Sequence, residues 1–538
     1  MGQSRRNNPM HYFTDRAAPF LATIVVFSFS TIVHAGTYFV TQAGAGSADG
    51  SSLANAASIA TLNGHVSSPG DIISLNGAIF SPITVVSSGS TGNPITYLFA
   101  AGASMGAPVF NSAITLSGKN YITIDGGATG TIGGPGATGT TNGYIQNTAN
   151  GTSLANQSAT GGIFATDCSN LTIQGLVIRN LYVRNSPTDE SAGATSSSGV
   201  FVLNSLGSLT NLKVINCVFH DMNTGVSGAY RGASCATWEV SYCTVYNCNW
   251  GSSFGDAASG AVLTGATIHN NLFYGFSNWD DSVANLYHHN GFYGFAESGG
   301  AISGITIYDN QVGPGAGVNA TSSFYLSGFL LGVFTIYNNL FLTDSTGNPN
   351  NGHTYFLNKY GTGTVLNYYN NTIIGINSSG IGIDMDAQSG SSTAVSIKNN
   401  IFSGTGTAIA FFHVTLYSAI ADYNLGYNLN SGQPYSWSSS AGSNPQTFAQ
   451  WQADGFDTHG TNGNPDLNSS YVPQPTSAAI GSGANLSSFF TTDMAGNSRP
   501  PSPVAWDIGA IQSVASAPIP TMTRIEGSNG YRQPAQRH

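Results

Sequence analysis

The sequence predicts an all-β solenoid, a parallel β-helix in which each coil contributes three short strands separated by turns. A phrase made of a short apolar strand, Asn-Asn and a second apolar strand recurs along the chain. Glycine is abundant, at 68 of 538 residues, and only 7% of the residues are charged, which is typical of a turn-rich, strand-rich protein. One such coil cannot bury its own apolar residues, so we expect the repeats to stack.

The Asn-Asn phrase places one polar side chain of each coil inside a turn. The clearest copies read IHNNLF, IYDNQV, IYNNLF, YYNNTI and IKNNIF. An asparagine amide in this position can hydrogen-bond to its equivalent one strand spacing away. The copies are 24 to 41 residues apart, which fits three strands and three turns with some coils lengthened by insertion. The second Asn of each phrase, or the residue that replaces it in the weaker copies, falls at Leu176, Cys217, Cys243, Asn271, Asn310, Asn339, Asn371, Asn400 and Asn424.

The charge balance and the cysteines restrict the partners. The chain carries 14 Lys and Arg against 24 Asp and Glu, a formal net charge of -10, which argues against a nucleic acid. The five cysteines are odd in number and lack the CxxC spacing of a zinc site. We expect most of them to be small buried side chains.

The N-terminus has the pattern of an export signal. Arginine residues precede the apolar run 19–33, and Val33 and Ala35 are the small residues that a signal peptidase requires. The run is too short to span a bilayer comfortably, and no later apolar stretch reaches that length. We expect the mature chain to begin near Gly36, to be secreted or held at the cell surface, and to have no membrane span.

Both ends of the predicted solenoid resemble a known family. Segment 36–102 is similar to the opening coils of secreted bacterial β-helix proteins, and segment 464–512 resembles their common terminal segment. The residues that carry the second likeness are Asn464, Pro465, Asp466, Ser477, Ala478, Ala479, Ile480, Asp493, Gly496, Asn497, Arg499, Asp507, Ile508, Gly509 and Ala510. Together with the Asn-Asn phrases, they make the chain similar to the right-handed parallel β-helices of the pectate-lyase-like superfamily. The resemblance implies an architecture but not one chemistry, because this fold hosts lyases, hydrolases, epimerases, adhesins and tailspikes.

These observations divide the chain into four predicted parts. They are a signal peptide (1–35), a parallel β-helix domain (36–445), a β-helix-associated C-terminal segment (446–513) and a disordered polar tail (514–538).

The third strand of each coil contains a candidate binding surface. Every second residue of a strand points outward. Aligning these strands on their leading residues predicts an outward row of Tyr293, Tyr325 and Phe356, suited to stacking against sugar rings. Asp384 falls in the neighbouring outward column. The alternative interpretation is ordinary cross-strand packing beneath a loop.

One of the lengthened turns is the candidate catalytic site. It contains Trp279, Asp280 and Asp281 and leads into His288 and His289, so two Asp, two His and a Trp fall within eleven residues. In enzymes of the superfamily, long turns wall the active-site groove. The alternative is a surface loop whose aspartates cap turns.

Other charged residues fall at or near strand ends on neighbouring coils. They are Arg231, Asp256, Glu297, Lys359 and Asp384. Lys359 is one of only four lysines in the chain.

Hydrolysis of a glycosidic bond requires two carboxyl groups, one as acid and one as base or nucleophile. Asp280 or Asp281 could act with Asp256 or Glu297. The polygalacturonase-type hydrolases of the superfamily have paired Asp, a His-Gly and an Arg-x-Lys; here the Asp pair and His289-Asn290-Gly291 occur, but the Arg-x-Lys is missing.

Two other functions remain open. A polysaccharide lyase requires a base, for which Arg231, Lys359, His288, His289 and Tyr293 are candidates, and Ca²⁺ or cationic groups to neutralise a uronate. The Asp cluster could hold Ca²⁺. A non-catalytic, glycan-binding adhesin would keep the aromatic row and would not need the Asp/His cluster. We expect an extracellular polysaccharide as the partner and favour hydrolysis of a neutral or weakly charged glycan.

Overall fold

The computed structural model describes most of the chain from residue 35 to residue 513. The described residues are 35–107, 111–150, 160–187, 189, 197–232, 234–255, 260–280, 288–296, 299–317, 320–343, 352–375, 380–388, 390–413, 417–429, 431–438 and 444–513.

Short strands form three faces that repeat coil after coil. We call the face before the Asn turn the first face, the face after it the second, and the remaining one the third. The first-face strands are β1 (Thr37–Thr41), β2 (Ala57–Ser58), β3 (Ile72–Leu75), β6 (Ile95–Phe99), β9 (Ile122–Asp125), β12 (Leu171–Gln174), β15 (Ser208–Ile215), β17 (Ser234–Ser241), β19 (Val262–Thr264), β20 (Thr267–His269), β23 (Ala301–Ser303), β24 (Thr306–Tyr308), β27 (Leu330–Leu331), β28 (Val333–Tyr337), β31 (Thr364–Tyr369), β34 (Thr393–Lys398) and β37 (Tyr417–Asp422).

The second and third faces follow in each coil. The second-face strands are β4 (Ala78–Ile79), β7 (Ser104–Ala107), β10 (Tyr144–Asn147), β13 (Val177–Arg179), β21 (Leu272–Tyr274), β25 (Gln311–Val312), β29 (Leu340–Leu342), β32 (Thr372–Ile374), β35 (Ile401–Ser403) and β38 (Leu425–Tyr427). The third-face strands are β5 (Ile83–Val85), β8 (Ser112–Ser117), β11 (Gly161–Thr166), β14 (Ser198–Asn204), β22 (Asn290–Ala296), β26 (Phe324–Gly328), β30 (Thr354–Asn358), β33 (Ile381–Ala387), β36 (Thr407–Phe411), β39 (Tyr435–Trp437) and β40 (Pro445–Gln446). Strands β16 (Val218–Tyr230) and β18 (Thr244–Gly255) belong to both faces.

Each strand pairs with the equivalent strand of the next coil. All pairings between the described strands are parallel except that of β40, which runs antiparallel to β39. The inward residues alternate with outward ones, as in β6, so that Ile95, Tyr97 and Phe99 enter the core. The predicted all-β, right-handed parallel β-helix is confirmed.

Two coils lack the turn between the second and third faces. Strands β16 and β18 run for 13 and 12 residues through both faces. The coils on either side carry the lengthened turns, after β13 and after β21. The continuous strands therefore lie between the two insertions.

The predicted asparagine ladder is present inside the turn. The Oδ1 atom of Asn310 accepts hydrogen bonds from both the backbone N–H and the side-chain amide of Asn271, at 3.0 and 2.9 Å. The same double contact links the subsequent asparagines coil by coil as far as Asn424. At the end, Asn424 donates to Asp457 Oδ1. A carboxylate can end the ladder because it accepts hydrogen bonds and has none to donate. Unlike an asparagine amide, it therefore needs no acceptor in a following coil.

The first residue of the Asn-Asn pair points away from the core. Asn338, Asn370 and Asn399 have φ values of 53°, 50° and 59°, a conformation that asparagine tolerates better than most residues. The side-chain amides of Asn338 and Asn370 donate to backbone carbonyls within segment 492–509. The C-terminal segment therefore covers the outside of the turn.

The helices are short. In the described part of the chain they are α1 (Ile59–Leu62), α2 (Phe448–Ala453) and the 3₁₀ turns Leu53–Asn55 and Ser277–Trp279. Within the described part of the chain, no helix has the length and apolar character that a membrane crossing requires. All five cysteines are buried and unpaired, as expected, and two of them, Cys217 and Cys243, occupy ladder positions.

We predict that Asn339→Ala lowers the free energy of unfolding by about 1–3 kcal/mol. The substitution leaves the buried backbone N–H of Asn310 without its acceptor, and one such unpaired group costs that amount, whereas the side-chain amide of Asn310 keeps the carbonyls of Ile268 and Tyr308. A urea denaturation series followed by circular dichroism measures the change. The control is Asn111→Ala at an exposed position, which should alter the midpoint little. Equal stability of the two variants would contradict a structural role for the ladder.

Candidate functional site

One outward column runs along the third face. Each member is the in-register partner of the next, and the column reads Thr84, Thr115, Phe164, Phe201, Ser227, Ser253, Tyr293, Tyr325, Tyr355, Asp384, Ala410 and Ser436. It therefore provides one outward side chain per coil along the helix axis.

The N-terminal half of this column lines a groove. The groove has a volume of about 780 Å³, and Phe164, Phe201, Ser227 and Trp250 are among its lining residues. The rings of Phe164 and Phe201 stack with centroids 5.4 Å apart. At the next two coils the column holds serines, which leaves room beside the Trp250 indole.

Three tyrosines continue the column, and we call them the tyrosine row. The rings of Tyr293, Tyr325 and Tyr355 follow one another at centroid distances of 5.1 Å. Trp250 lies beside the row, 5.6 Å from the ring of Tyr293. All three tyrosines are half-buried, so part of each ring faces solvent. Tyr293 and Tyr325 therefore lie where the sequence predicts them.

The predicted outward position of Phe356 is wrong. Phe356 pairs with Leu326, is fully buried and packs in the core against Phe334. Strand β30 begins at Thr354, one residue before the leading residue that the sequence alignment assumed. A shift of one residue exchanges the two sides of a strand, so Tyr355 takes the outward place.

On the next coil the displacement is two residues, which keeps Asp384 on the outward side but moves it into the main column, beside Tyr355. Its carboxyl group is almost completely buried, and Oδ1 has no hydrogen-bond partner among the described residues. Burial, reinforced by the like charge of Asp386, raises the pKa of Asp384 to about 8. The carboxyl group is therefore protonated at neutral pH.

Asp386 forms a carboxyl pair with Asp384. The two residues are separated by one position on β33 and point to the same side, so their Cα atoms are roughly 6.6 Å apart. Asp386 Oδ1 lies 2.5 Å from His413 Nδ1. Asp386 and His413 are not among the site residues predicted from the sequence. The signal that was available is the Asp-x-Asp pattern within a strand, which places two carboxyl groups on one face.

The insertion after β21 contains a buried His–Asp pair. His289 Nε2 lies 2.8 Å from Asp280 Oδ1, and His289 Nδ1 lies 2.9 Å from Asn249 Oδ1. The imidazole is fully buried, and both ring nitrogens are engaged. Burial lowers the pKa of His289, while Asp280 acts in the opposite direction. This arrangement fastens the insertion to β18 and leaves no ring nitrogen of His289 for a ligand.

Trp279 is also fully buried. Its ring lies 6.0 Å from that of Tyr182 and 5.2 Å from the guanidinium of Arg184, both in the other insertion. Its indole N–H donates to the backbone carbonyl of Asn247. Trp279 therefore joins the two insertions above the continuous strands, and the structure does not place it on a surface that a glycan could reach.

His288 is directed differently from its neighbour. Its ring lies 4.8 Å from that of Tyr293 and 6.0 Å from that of Tyr325, at the start of the tyrosine row. The side-chain amide of Asn290 donates to Ser322, so Asn290 Oδ1 accepts from His288 Nδ1 at 3.0 Å. Burial lowers the pKa of His288. The neutral ring then carries its lone pair on Nε2, for which no described residue is a hydrogen-bond partner.

The remaining predicted site residues lie elsewhere or are not described. Arg231 is exposed just after β16, and Lys359 is half-buried just after β30, both at the strand ends opposite the insertions. Asp256, Asp281 and Glu297 lie outside the described residues. Within the described ranges, no group of three or more His, Cys, Asp or Glu side chains could hold a metal ion.

We predict that His289→Leu destabilises the insertion. Removing the imidazole leaves the buried Asp280 carboxylate without this hydrogen-bond partner, and losing a hydrogen bond to a charged group costs about 1.5–3 kcal/mol. Thermal melting and amide hydrogen exchange over 276–296 measure the loss. The matched control is His459→Leu, because His459 pairs with Asp422 on the first face but its side chain is 60% exposed.

A different outcome would restore the catalytic interpretation of this pair. If the His289→Leu protein melts like the unmodified protein but loses an assayable activity, the imidazole takes part in the reaction instead of fastening the loop.

The chain was also compared with known proteins. No protein-family model and no curated protein matches it. A pectate lyase structure is 17% identical, with 89% of this chain and 96% of that chain covered and a TM-score of 0.36. XylC in complex with xylose is 9% identical, with coverage of 89% and 98% and a TM-score of 0.43. A lacto-N-biosidase from Eubacterium ramulus is 12% identical, with coverage of 71% and 67% and a TM-score of 0.33. The assignment of the fold rests on the strand pairing described above.

Proposed function

We propose that this protein binds an extracellular polysaccharide along its third face and hydrolyses glycosidic bonds with the carboxyl pair Asp384 and Asp386. The observation that carries the proposal is the continuous column in which the tyrosine row leads, in register, to a carboxylic acid that is protonated at neutral pH.

The column has the chemistry that sugars require. A tyrosine offers an apolar ring, which can pack against the C–H face of a sugar, and a hydroxyl group, which can bond to sugar hydroxyls. Three such residues repeat at one per coil, and the groove lined by Phe164, Phe201 and Trp250 extends the surface toward the N-terminus. A ligand with a repeating structure fits a surface that repeats.

The carboxyl pair has the two roles that glycoside hydrolysis needs. Asp384, protonated at neutral pH, would donate a proton to the leaving oxygen. Asp386, oriented by His413, would act as base toward water or as nucleophile. The Cα separation of roughly 6.6 Å allows either the close carboxyl pair of retaining enzymes, about 5–5.5 Å, or the wider pair of inverting enzymes.

This assignment replaces the Asp280-centred site expected from the sequence. Asp280 is held by the buried His289 and joins the insertion to the β-helix. The described part of the third-face column contains no Lys or Arg side chain, which favours a neutral or sparsely acidic glycan in the groove.

We further propose that the protein acts outside the cytoplasm. The support is the N-terminal pattern of arginines, the apolar run 19–33 and a small-residue cleavage site, which all lie outside the described residues.

We predict that Asp384→Asn and Asp386→Asn each lower the rate of glycan cleavage by at least about a hundredfold, the usual contribution of a general acid or base. The assay is a glycan panel scored for new reducing ends, with protein recovered from the medium, whose N-terminal sequence should begin at Gly36. The matched control is Asp422→Asn, which alters another Asp–His pair on the first face and should leave the rate unchanged.

Other outcomes of the same digest identify the alternatives. Ultraviolet absorbance of an unsaturated product that disappears with EDTA would indicate a Ca²⁺-dependent lyase and contradict hydrolysis. Retained binding without any cleavage by the unmodified protein would indicate an adhesin.

We predict that cleavage falls as the pH rises through about 8. Asp384 supplies its proton only in the neutral form, which predominates below its pKa of about 8. A pH–rate profile of kcat/KM, which reports the pKa values of the unliganded enzyme, measures this limb. The control is Asp386→Asn. In this variant the residual activity should fall at a lower pH, because removing the negative charge of Asp386 lowers the pKa of Asp384. A limb that does not move would mean that another group controls it.

A further inference from the structure

The second face carries an outward column that the proposed reaction does not use. Its members are in-register partners on five consecutive coils, and we call them the second-face column: Gln146, Arg179, His220, Tyr246 and Tyr274. All five side chains are half-buried, so each keeps part of its surface in contact with solvent.

Contacts between neighbouring side chains fix the orientation of the rings and of the guanidinium in this column. His220 stacks on Tyr246 with centroids 4.6 Å apart, and Tyr246 stacks on Tyr274 at 5.1 Å. Arg179 lies 4.7 Å from the centroid of the Tyr144 ring and donates from Nε to Gln146 Oε1 at 3.0 Å. The guanidinium is therefore oriented before any ligand arrives, which lowers the entropy lost on binding.

Among the described residues, no carboxylate forms an ion pair with Arg179, whose guanidinium contacts only uncharged side chains. Asp221 is the nearby carboxylate, and its two oxygens are engaged by His220 Nδ1 and by the side-chain amide of Asn247. Burial, together with nearby Tyr274 and Asp221, raises the pKa of Tyr246 to about 12, so its hydroxyl group remains a donor at neutral pH. The column thus offers a cation and donors without an unpaired carboxylate.

This surface is separate from the groove of the third face. The described parts of the two insertions lie between the surfaces: the backbone N–H of Tyr182 donates to the carbonyl of Asp221, and the indole of Trp279 donates to the carbonyl of Asn247. The contacts fall on β16 and β18, just beyond the column residues of those strands. A ligand on the second-face column would therefore not occupy the groove.

We propose that the second-face column is a second glycan-binding site, which takes a saccharide bearing a carboxylate group. Arg179 pairs with the carboxylate, for which the planar guanidinium is suited, and the hydroxyl groups of Tyr246 and Tyr274 bond along the chain. The choice of a glycan as the ligand rests on the proposed function; the site itself takes no part in cleavage. It would hold acidic residues of a sparsely acidic polysaccharide while the third face works on another segment.

The test is a binding titration with polygalacturonate and with the same polymer after methyl esterification, which removes the charge and keeps the backbone. It is performed in the Asp384→Asn variant so that no cleavage interferes. We expect Arg179→Gln to weaken binding of polygalacturonate about tenfold, the effect of losing one charge-assisted contact, and to leave binding of the ester unchanged. The matched control is Lys398→Gln, which removes one positive charge from the first face.

A second variant guards against a folding defect at Arg179. Tyr274→Phe removes only a hydroxyl group at the end of the column and should weaken polygalacturonate binding two- to threefold with an unchanged melting temperature. Equal affinity for polymer and ester, or unchanged affinity in both Arg179→Gln and Tyr274→Phe, would overturn the proposal. Since binding and cleavage are measured apart, loss of the proposed hydrolysis with intact Arg179-dependent binding would reject the function and retain the site.

Discussion

The structure depends on the hydrogen bonds that join one turn to the next through the stacked asparagines. Each ladder amide binds the amide of the following coil and is itself fully buried, so a displaced coil would leave donors and acceptors unpaired where water cannot reach them. Parallel pairing alone sets the distance between coils. The ladder also fixes the register of each coil along the strand direction, because only one register brings consecutive asparagines within hydrogen-bond distance.

The register that is set at the asparagine turn also determines the outer surfaces of the second and third faces. With the coil position set, the alternation of each strand decides which side chains face outward, and equivalent residues of successive coils form straight columns. The tyrosine row and the second-face column are two such lines on one solenoid. Their side chains are spaced by the strand pairing and not by flexible loops, which is the arrangement that a preorganised binding surface needs. The insertions add the local enclosure, fastened by buried contacts of Trp279 and His289.

The sequence repeat made the fold predictable. The site was less predictable, because it depends on the exact register of each strand. The Asn-Asn phrases placed the ladder because their spacing reports the coil length directly, and Tyr293 and Tyr325 followed from alternation. The strand 354–358 lacks the leading glycine on which several neighbours were aligned, and the error of one residue exchanged Phe356 for Tyr355. His289 is buried and contacts Asn249, forty residues away, a contact that no local pattern reveals. Asp386 lies two residues beyond Asp384 on β33, and its partner His413 comes from the next coil, a contact that the local sequence does not reveal.

The end of the ladder affects whether copies of this protein can associate end to end. A stack of identical coils offers at its tip a row of unpaired backbone groups, the same template on which amyloid-like assemblies grow. Here Asp457 supplies the last acceptor, its other oxygen is taken by the Trp451 indole, and the antiparallel β40 occupies the edge of β39. A further coil, from this chain or from another copy, would find the ladder and the outer edge of β39 already occupied at that end. The C-terminal end of the solenoid therefore disfavours end-to-end pairing of copies into fibres, although stacked parallel coils are otherwise well suited to such pairing.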